Sequence, residues 1–107
     1  MATEICYQMS IMLAHSKVYA GYGKPIKLRI WISDELCGDA QLVYTSPLID
    51  HEEWRSYMIT FTPKKKSQYI MFEAYIQEGD FSHKGNIMMD AMSVSYTHLT
   101  LPTILLV

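Results

Sequence analysis

The sequence has little of what marks several large classes of protein. Its 107 residues include only two cysteines, Cys6 and Cys37, which form neither a C-x-x-C metal-binding pair nor a disulfide framework. The sequence is compatible with one disulfide or with two buried thiols. No apolar run approaches the roughly 18–20 residues that span a bilayer, and the first residues lack the regions of a signal peptide. We therefore predict no membrane span and no targeting signal in this stretch of chain.

An excess of charge of either sign is also missing. Nine Lys and Arg residues face eleven Asp and Glu residues, which gives a formal charge of −2. Proteins that bind nucleic acid usually carry a basic face, so the composition predicts no nucleic-acid partner. The only basic run, Lys64 to Lys66, follows Pro63 and precedes Ser67. A solvated hairpin turn explains this run better than contact with a phosphate or an anionic polymer.

The sequence contains no motif of a known catalytic site. Neither H-E-x-x-H nor G-x-S-x-G occurs, and no glycine-rich phosphate loop follows a strand-like run. The densest titratable cluster, residues 50–53, is typical of a solvated loop. Nothing in the sequence near Cys37 would activate its thiol as a nucleophile. The dispersed histidines include His15, His51 and His83. We predict that the chain is not an enzyme and assign no catalytic residue.

A period of two dominates the sequence from Ile5 onward. Short runs rich in Ile, Tyr, Thr, Met and Phe are separated by Gly, Pro, Asp and Ser, which indicates β-strands. In the clearest run, Ile30 and its neighbours at even positions are aliphatic, while Arg29 and Trp31 lie on the opposite face. We predict six strands at about residues 5–14, 26–33, 41–46, 54–62, 69–76 and 86–92. This spacing predicts an all-β, antiparallel sandwich.

The segment Val94 to Val107 differs from the rest of the chain. It contains no Asp, Glu, Lys or Arg, and its first ten residues, VSYTHLTLPT, can be encoded by GTC TCT TAT ACA CAT CTG ACG CTG CCG ACG. That DNA resembles the end sequence and adapter of transposon-based sequencing libraries. We therefore predict that residues 1–93 are a partial β-sandwich domain from a metagenomic fragment and that residues 94–107 are a non-native, adapter-derived tail. The alternative is a natural apolar C-terminal strand.

The order of several motifs resembles that of a known group of domains. The strings PIKLRIWIS, QLVYTSPLI, YIMFEAY and GNIMMDAMS resemble galactose-binding-like jelly-roll domains of bacterial secreted and surface proteins, which are similar to carbohydrate-binding modules. The resemblance implies a non-catalytic, glycan-directed module at an extracellular or cell-surface location, beside other domains of a larger protein. Related domains begin with strands that precede the one containing Cys6. The resemblance therefore also implies a jelly roll that is incomplete at its N-terminus, with exposed sheet edges.

Four residues have the chemistry of a carbohydrate site. Sugars present C–H faces that stack on aromatic rings and hydroxyls that need hydrogen-bonding partners. Arg29 and Trp31 share one strand face, and Glu73 and Tyr75 share another, so we predict these four as ligand-binding residues. The alternative is that the rings form a second hydrophobic layer and that Arg29 and Glu73 form a structural ion pair. The chain would then be a structural spacer or adhesion domain without a small-molecule ligand.

Asp90 is the one residue for which the sequence suggests a metal. It lies among methionines and an alanine in the last predicted strand, and a buried carboxylate there would need a partner. The resemblance implies that Asp90 helps to hold a structural Ca²⁺ together with N-terminal oxygens. Ca²⁺ takes six to eight oxygen ligands, so a hydrogen bond or ion pair at Asp90 is the alternative. No other cofactor is predicted.

Overall fold

The computed structural model describes residues 1–18, 23–36, 38–76 and 85–98, and within these residues the chain is all-β. The first five strands agree with the predicted bounds to within about one residue, because alternation of apolar and polar side chains is a local signal. The sixth strand continues beyond its predicted end. The strands are β1 (Ile5–Ala14), β2 (Lys27–Ser33), β3 (Ala40–Thr45), β4 (Arg55–Phe61), β5 (Tyr69–Tyr75) and β6 (Met88–His98).

The six strands form two antiparallel sheets. One sheet has the order β4-β1-β6 and the other has the order β3-β2-β5. The prediction of an all-β, antiparallel fold is confirmed. Most sheet neighbours are distant in sequence, since β1 pairs with β4 and β6, and β2 pairs with β5. The fold therefore depends on long-range pairing.

A single hydrophobic cluster joins the two sheets. Strand side chains alternate between the two faces of a sheet, and β1, β2 and β4 accordingly bury alternate residues. The buried members are Met9, Ile11 and Leu13 of β1, Leu28, Ile30 and Ile32 of β2, Ile59 and Phe61 of β4, and Ile49. This confirms the predicted inward face of β2. Each such side chain contributes about 1.5–3 kcal/mol when it is fully removed from water.

A buried serine fixes the connection that follows β3. The Leu28 N–H donates to Ser46 Oγ at 2.8 Å, and the Ser46 N–H donates to Leu28 O at 2.8 Å. Ser46 Oγ also donates to Pro47 O at 2.8 Å. Proline has no N–H for a ladder, so the strand ends here and side-chain bonds take over the pairing. The chain then returns to β2 through a bridge between Ile26 and Ile49.

The two sides of the core differ in how closely the sheets approach. β3 and β4 are in contact on one side, whereas β5 and β6 are not in contact within the described chain. Side chains of β5 and β6 are correspondingly exposed: Phe72 is 37% exposed, Met89 43% and Val94 44%. Exposed apolar side chains and strand edges are sites where another chain can pair.

β6 includes part of the segment predicted to be non-native. It pairs with β1 from Ala14↔Met88 to Ile5↔His98, with a register shift between Ser10 and Met12. Ladder bonds use backbone groups that every residue other than proline carries, so this pairing does not depend on the origin of the sequence. The assignment of residues 94–107 to an adapter stays a prediction, and residues 99–107 lie outside the described part.

Cys6 is a half-buried free thiol in β1, and Cys37 lies outside the described residues. Among the residues described, no helix is long and apolar enough to cross a membrane.

Candidate functional site

The four predicted ligand-binding residues come together on one sheet face. β2 and β5 are direct neighbours, a relationship that the sequence alone did not reveal. Their register places Arg29 opposite Glu73, with Trp31 and Tyr75 beside them on the same face. This face points away from the core, because Ile30 and Phe72 lie on the opposite side of the same sheet. We call Arg29, Trp31, Glu73 and Tyr75 the outer-face cluster.

Glu73 and Arg29 connect the members of the outer-face cluster. Arg29 Nε donates to Glu73 Oε1 at 2.7 Å, and Trp31 Nε1 donates to the same oxygen at 2.9 Å. The Arg29 guanidinium carbon lies 3.7 Å from the centre of the Tyr75 ring and 5.2 Å from the Trp31 ring. Both distances are within the range of cation–π attraction. One carboxylate oxygen therefore accepts two hydrogen bonds, and one guanidinium contacts two aromatic rings.

The electrostatics of the outer-face cluster keep Glu73 ionised. The hydrogen bond from Arg29 lowers the pKa of Glu73 most strongly, partial burial raises it, and the Trp31 hydrogen bond lowers it further. The net pKa lies below the usual value of 4.5. The Arg29 side chain is 14% exposed, whereas that of Glu73 is 43% exposed. Because a carboxylate has about four acceptor positions, Glu73 presents further hydrogen-bonding capacity at the surface.

This geometry bears on both interpretations of the four residues. Their mutual hydrogen bonds and ring contacts are what the structural interpretation expects. The half-exposed carboxylate between two partly exposed rings is what the ligand-binding interpretation expects, because a sugar needs both an acceptor and an apolar surface.

Asp90 is exposed in β6, so the expectation of a buried carboxylate among methionines is wrong. In this edge strand the side chains of both faces reach solvent. Asp90 Oδ1 accepts the Ala91 N–H at 2.8 Å, and Ala91 has a positive φ of 52°. Within the described ranges, no group of three or more His, Cys, Asp or Glu side chains is placed to hold a metal. Calcium at Asp90 stays a prediction.

His51 contradicts the interpretation of residues 50–53 as a fully solvated loop. Its side chain is only 8% exposed and stacks on Tyr57, with the ring planes 15° apart. His51 Nδ1 lies 2.7 Å from Glu53 O, and Nε2 lies 2.7 Å from the Tyr57 hydroxyl. Asp50, Glu52 and Glu53 are exposed as expected. Both ring nitrogens therefore have hydrogen-bonding partners that fix the entry into β4.

The backbone of His15 pairs with that of His51, because the His15 N–H donates to His51 O at 2.9 Å. His15 is 2% exposed at the end of β1, and its Nε2 lies 2.7 Å from Gly23 O. Its Nδ1 is buried without a partner among the residues described. His83 lies outside the described residues.

A second concave feature lies at one end of the two sheets. It is a cavity of about 690 Å³ between the β2–β3 loop and the β4–β5 turn. Asp34, Glu35 and Asp39 line one wall, and Lys64 and Lys65 line the other. We call it the end pocket. The sequence predicted a solvated turn at Lys64 to Lys66, but no spacing in the sequence indicates that this turn meets the β2–β3 loop.

No family model, curated protein or solved structure matches this chain. Over the residues that it describes, the structure defines an all-β fold with two antiparallel three-stranded sheets. The resemblance to galactose-binding-like domains stays a prediction.

Proposed function

We propose that the chain is a non-catalytic, glycan-directed binding module of an extracellular or cell-surface bacterial protein. The observation that carries this proposal is the outer-face cluster, in which an ionised, 43% exposed Glu73 lies between two aromatic side chains on a sheet face. Glycan-binding surfaces combine these two kinds of group.

Each member of the outer-face cluster has a part in this proposal. Glu73 accepts hydrogen bonds from sugar hydroxyls, and the exposed portions of the Trp31 and Tyr75 rings contact sugar C–H groups. Arg29 positions Glu73 through the 2.7 Å hydrogen bond and lies against the Tyr75 ring. Because these contacts exist without ligand, binding would cost little additional ordering of side chains.

The test is glycan binding by the full chain and by two matched tryptophan variants. Trp31→Ala removes a ring of the outer-face cluster, whereas Trp54→Ala removes a 45% exposed ring that precedes β4 in the other sheet. A glycan array identifies a ligand, and titration calorimetry then measures its affinity. We expect Trp31→Ala to weaken binding by about tenfold or more and Trp54→Ala to leave it nearly unchanged. Equal losses in the two variants, or no glycan bound by the folded chain, would contradict the proposal.

The same cluster favours a second candidate function, a structural spacer or adhesion domain. Arg29 is only 14% exposed, and it contacts Glu73 and Tyr75 of the same cluster. On this account the four residues hold β2 and β5 together. Trp31→Ala would then lower stability, and no glycan would bind to the wild-type chain.

We also propose the finer fold, an incomplete jelly roll that continues in the parent protein. Successive strands lie in both sheets, with β1, β4 and β6 in one and β2, β3 and β5 in the other, which supports this topology. Parent DNA read upstream of Met1 and across codon 93 tests it: further strand-coding sequence before Cys6 is expected, and a native stop at these points would contradict it.

Structural calcium is tested by comparing thermal midpoints with Ca²⁺ and with a chelator, for wild type and for Asp90→Asn.

A further inference from the structure

Opposite charges line the end pocket without pairing. Its walls carry the carboxylates of Asp34, Glu35 and Asp39 and the ammonium groups of Lys64 and Lys65. All five side chains are exposed. Across the part of the chain that the structure describes, none of them forms an ion pair or a side-chain hydrogen bond. The pocket therefore presents both signs of charge to whatever enters it.

The acidic wall is held in place by Ser33, which is 2% exposed at the end of β2. Ser33 Oγ accepts the Glu35 N–H at 3.1 Å and lies 2.5 Å from Glu35 O. The same hydroxyl lies 3.0 Å from Asp39 O. One buried hydroxyl thus contacts the backbone near both ends of the acidic loop and fixes its path.

The basic wall is held by Gln41 of β3 and by Ser67 of the β4–β5 turn. Gln41 Oε1 accepts the Lys64 N–H at 2.9 Å, and Gln41 Nε2 donates to Thr62 O at 3.4 Å. Ser67 Oγ donates to Lys65 O at 3.0 Å. The two walls are joined where the Gln68 N–H donates to Ser33 O at 2.9 Å. The backbone on both sides of the pocket is therefore positioned before any ligand arrives.

We propose that the end pocket binds a small zwitterion, with the ammonium group of the ligand against the acidic wall and its anionic group against the two lysines. A ligand with one charge would be attracted to one wall and repelled by the other, whereas a zwitterion complements both. The cavity volume of about 690 Å³ is within the usual range for small-molecule sites. The proposal uses no residue of the outer-face cluster and is independent of glycan binding.

The first test uses ω-amino acids as probes, because they carry both charges at a separation set by chain length. Glycine, 4-aminobutyrate and 6-aminohexanoate are titrated into the full chain while backbone amide resonances are followed by NMR. We expect at least one probe to shift the amides of Ser33 and Gln41. Hexanoate and hexylamine at equal ionic strength should bind at least about tenfold more weakly. Equal binding of a zwitterion and its single-charge analogues would overturn the proposal, as would no shift with any probe at about 50 mM.

Matched variants test the placement of the site. The double variant Lys64→Gln/Lys65→Gln should weaken binding of the best probe by about tenfold, while Lys66→Gln, in the same basic run but outside the pocket lining, should not. Likewise Asp34→Asn should weaken binding and Asp50→Asn should not. All these side chains are exposed, and unchanged amide spectra confirm that each variant is folded. Equal effects of the pocket variants and their controls would show that the charges act only through the net field and would overturn the proposal.

Discussion

Arg29 and Glu73 face each other across β2 and β5, with Arg29 Nε 2.7 Å from Glu73 Oε1. The Trp31 indole donates to the same oxygen at 2.9 Å. Cross-strand pairs of opposite charge each contribute roughly 0.2–1 kcal/mol to a sheet. This pair therefore stabilises the β2–β5 pairing and positions the acceptor that the proposed glycan site needs.

Glu73→Gln tests the stabilising part of this relationship. Glutamine preserves the size of the side chain but removes its charge, so both hydrogen bonds become weaker. Because Glu73 is 43% exposed, solvent reduces the effect, and we expect the free energy of unfolding to fall by about 1 kcal/mol. Urea denaturation at pH 7 measures it. Glu35→Gln is the control, with an expected change within about 0.5 kcal/mol, and equal changes in the two variants would contradict the assigned role.

The pKa of Glu73 predicts how this contribution depends on pH. Arg29 holds the folded-state pKa below the ordinary value of 4.5, so the unfolded chain binds a proton more readily. The stabilisation is fully present above about pH 4.5 and is lost as the pH falls through the folded-state pKa. We expect the difference in unfolding free energy between wild type and Glu73→Gln to shrink below pH 4.5.

Taking this difference removes the contribution of Glu53. The pKa of Glu53 is also lowered, most strongly by a backbone hydrogen bond and next by the hydrogen bond from Arg55. Glu53 is present in both wild type and Glu73→Gln, so its contribution cancels in the difference. Unfolding curves at several pH values between neutral and acidic provide the data. A difference that stays constant with pH would show that the Glu73 charge does not stabilise the fold.

Ser46→Ala tests the connection after β3. The substitution removes the acceptor of the Leu28 N–H, which is buried in the core strand β2. An unpaired buried N–H costs about 1–3 kcal/mol, and we expect a loss of that size in urea denaturation. The control is Ser56→Ala, at an exposed position of β4, where the change should be within about 0.5 kcal/mol. If Ser46→Ala were as stable as this control, another group would have to accept the Leu28 N–H in place of Ser46 Oγ.

Leu13→Ala tests the core shared by the two sheets. Leu13 is fully buried in β1, whereas Leu36 is 69% exposed. Truncating a buried leucine leaves a cavity and costs about 2–5 kcal/mol, so thermal and urea unfolding should show a large loss for Leu13→Ala. Leu36→Ala should change the stability by less than about 0.5 kcal/mol. Similar losses in the two variants would contradict the assignment of β1 to the core.

The strands could be predicted from the sequence, but their pairing could not. Alternation is a property of neighbouring residues, and it places β2 and its buried aliphatic side chains correctly. Pairing of β1 with β6 joins residues 74 to 93 positions apart, for example Ser10 with Ser93, and no local signal encodes it. For the same reason the meeting of Arg29 with Glu73, and of the two loops at the end pocket, became visible only in three dimensions.

Two local predictions failed because burial depends on tertiary position. Asp90 has apolar sequence neighbours but lies in an edge strand whose side chains reach water. His51 lies in a polar sequence but packs against Tyr57. Composition around a residue therefore did not determine whether its side chain is buried.

The most direct test of glycan binding on the outer face is the Trp31 indole N–H resonance during titration of the wild-type chain with a glycan identified on the array. This N–H donates to Glu73 Oε1, so a sugar that bonds to the carboxylate must change its environment. We expect a saturating shift of the Trp31 indole resonance, while that of Trp54 stays in place. A bound glycan that leaves Trp31 unchanged and moves resonances elsewhere would contradict it.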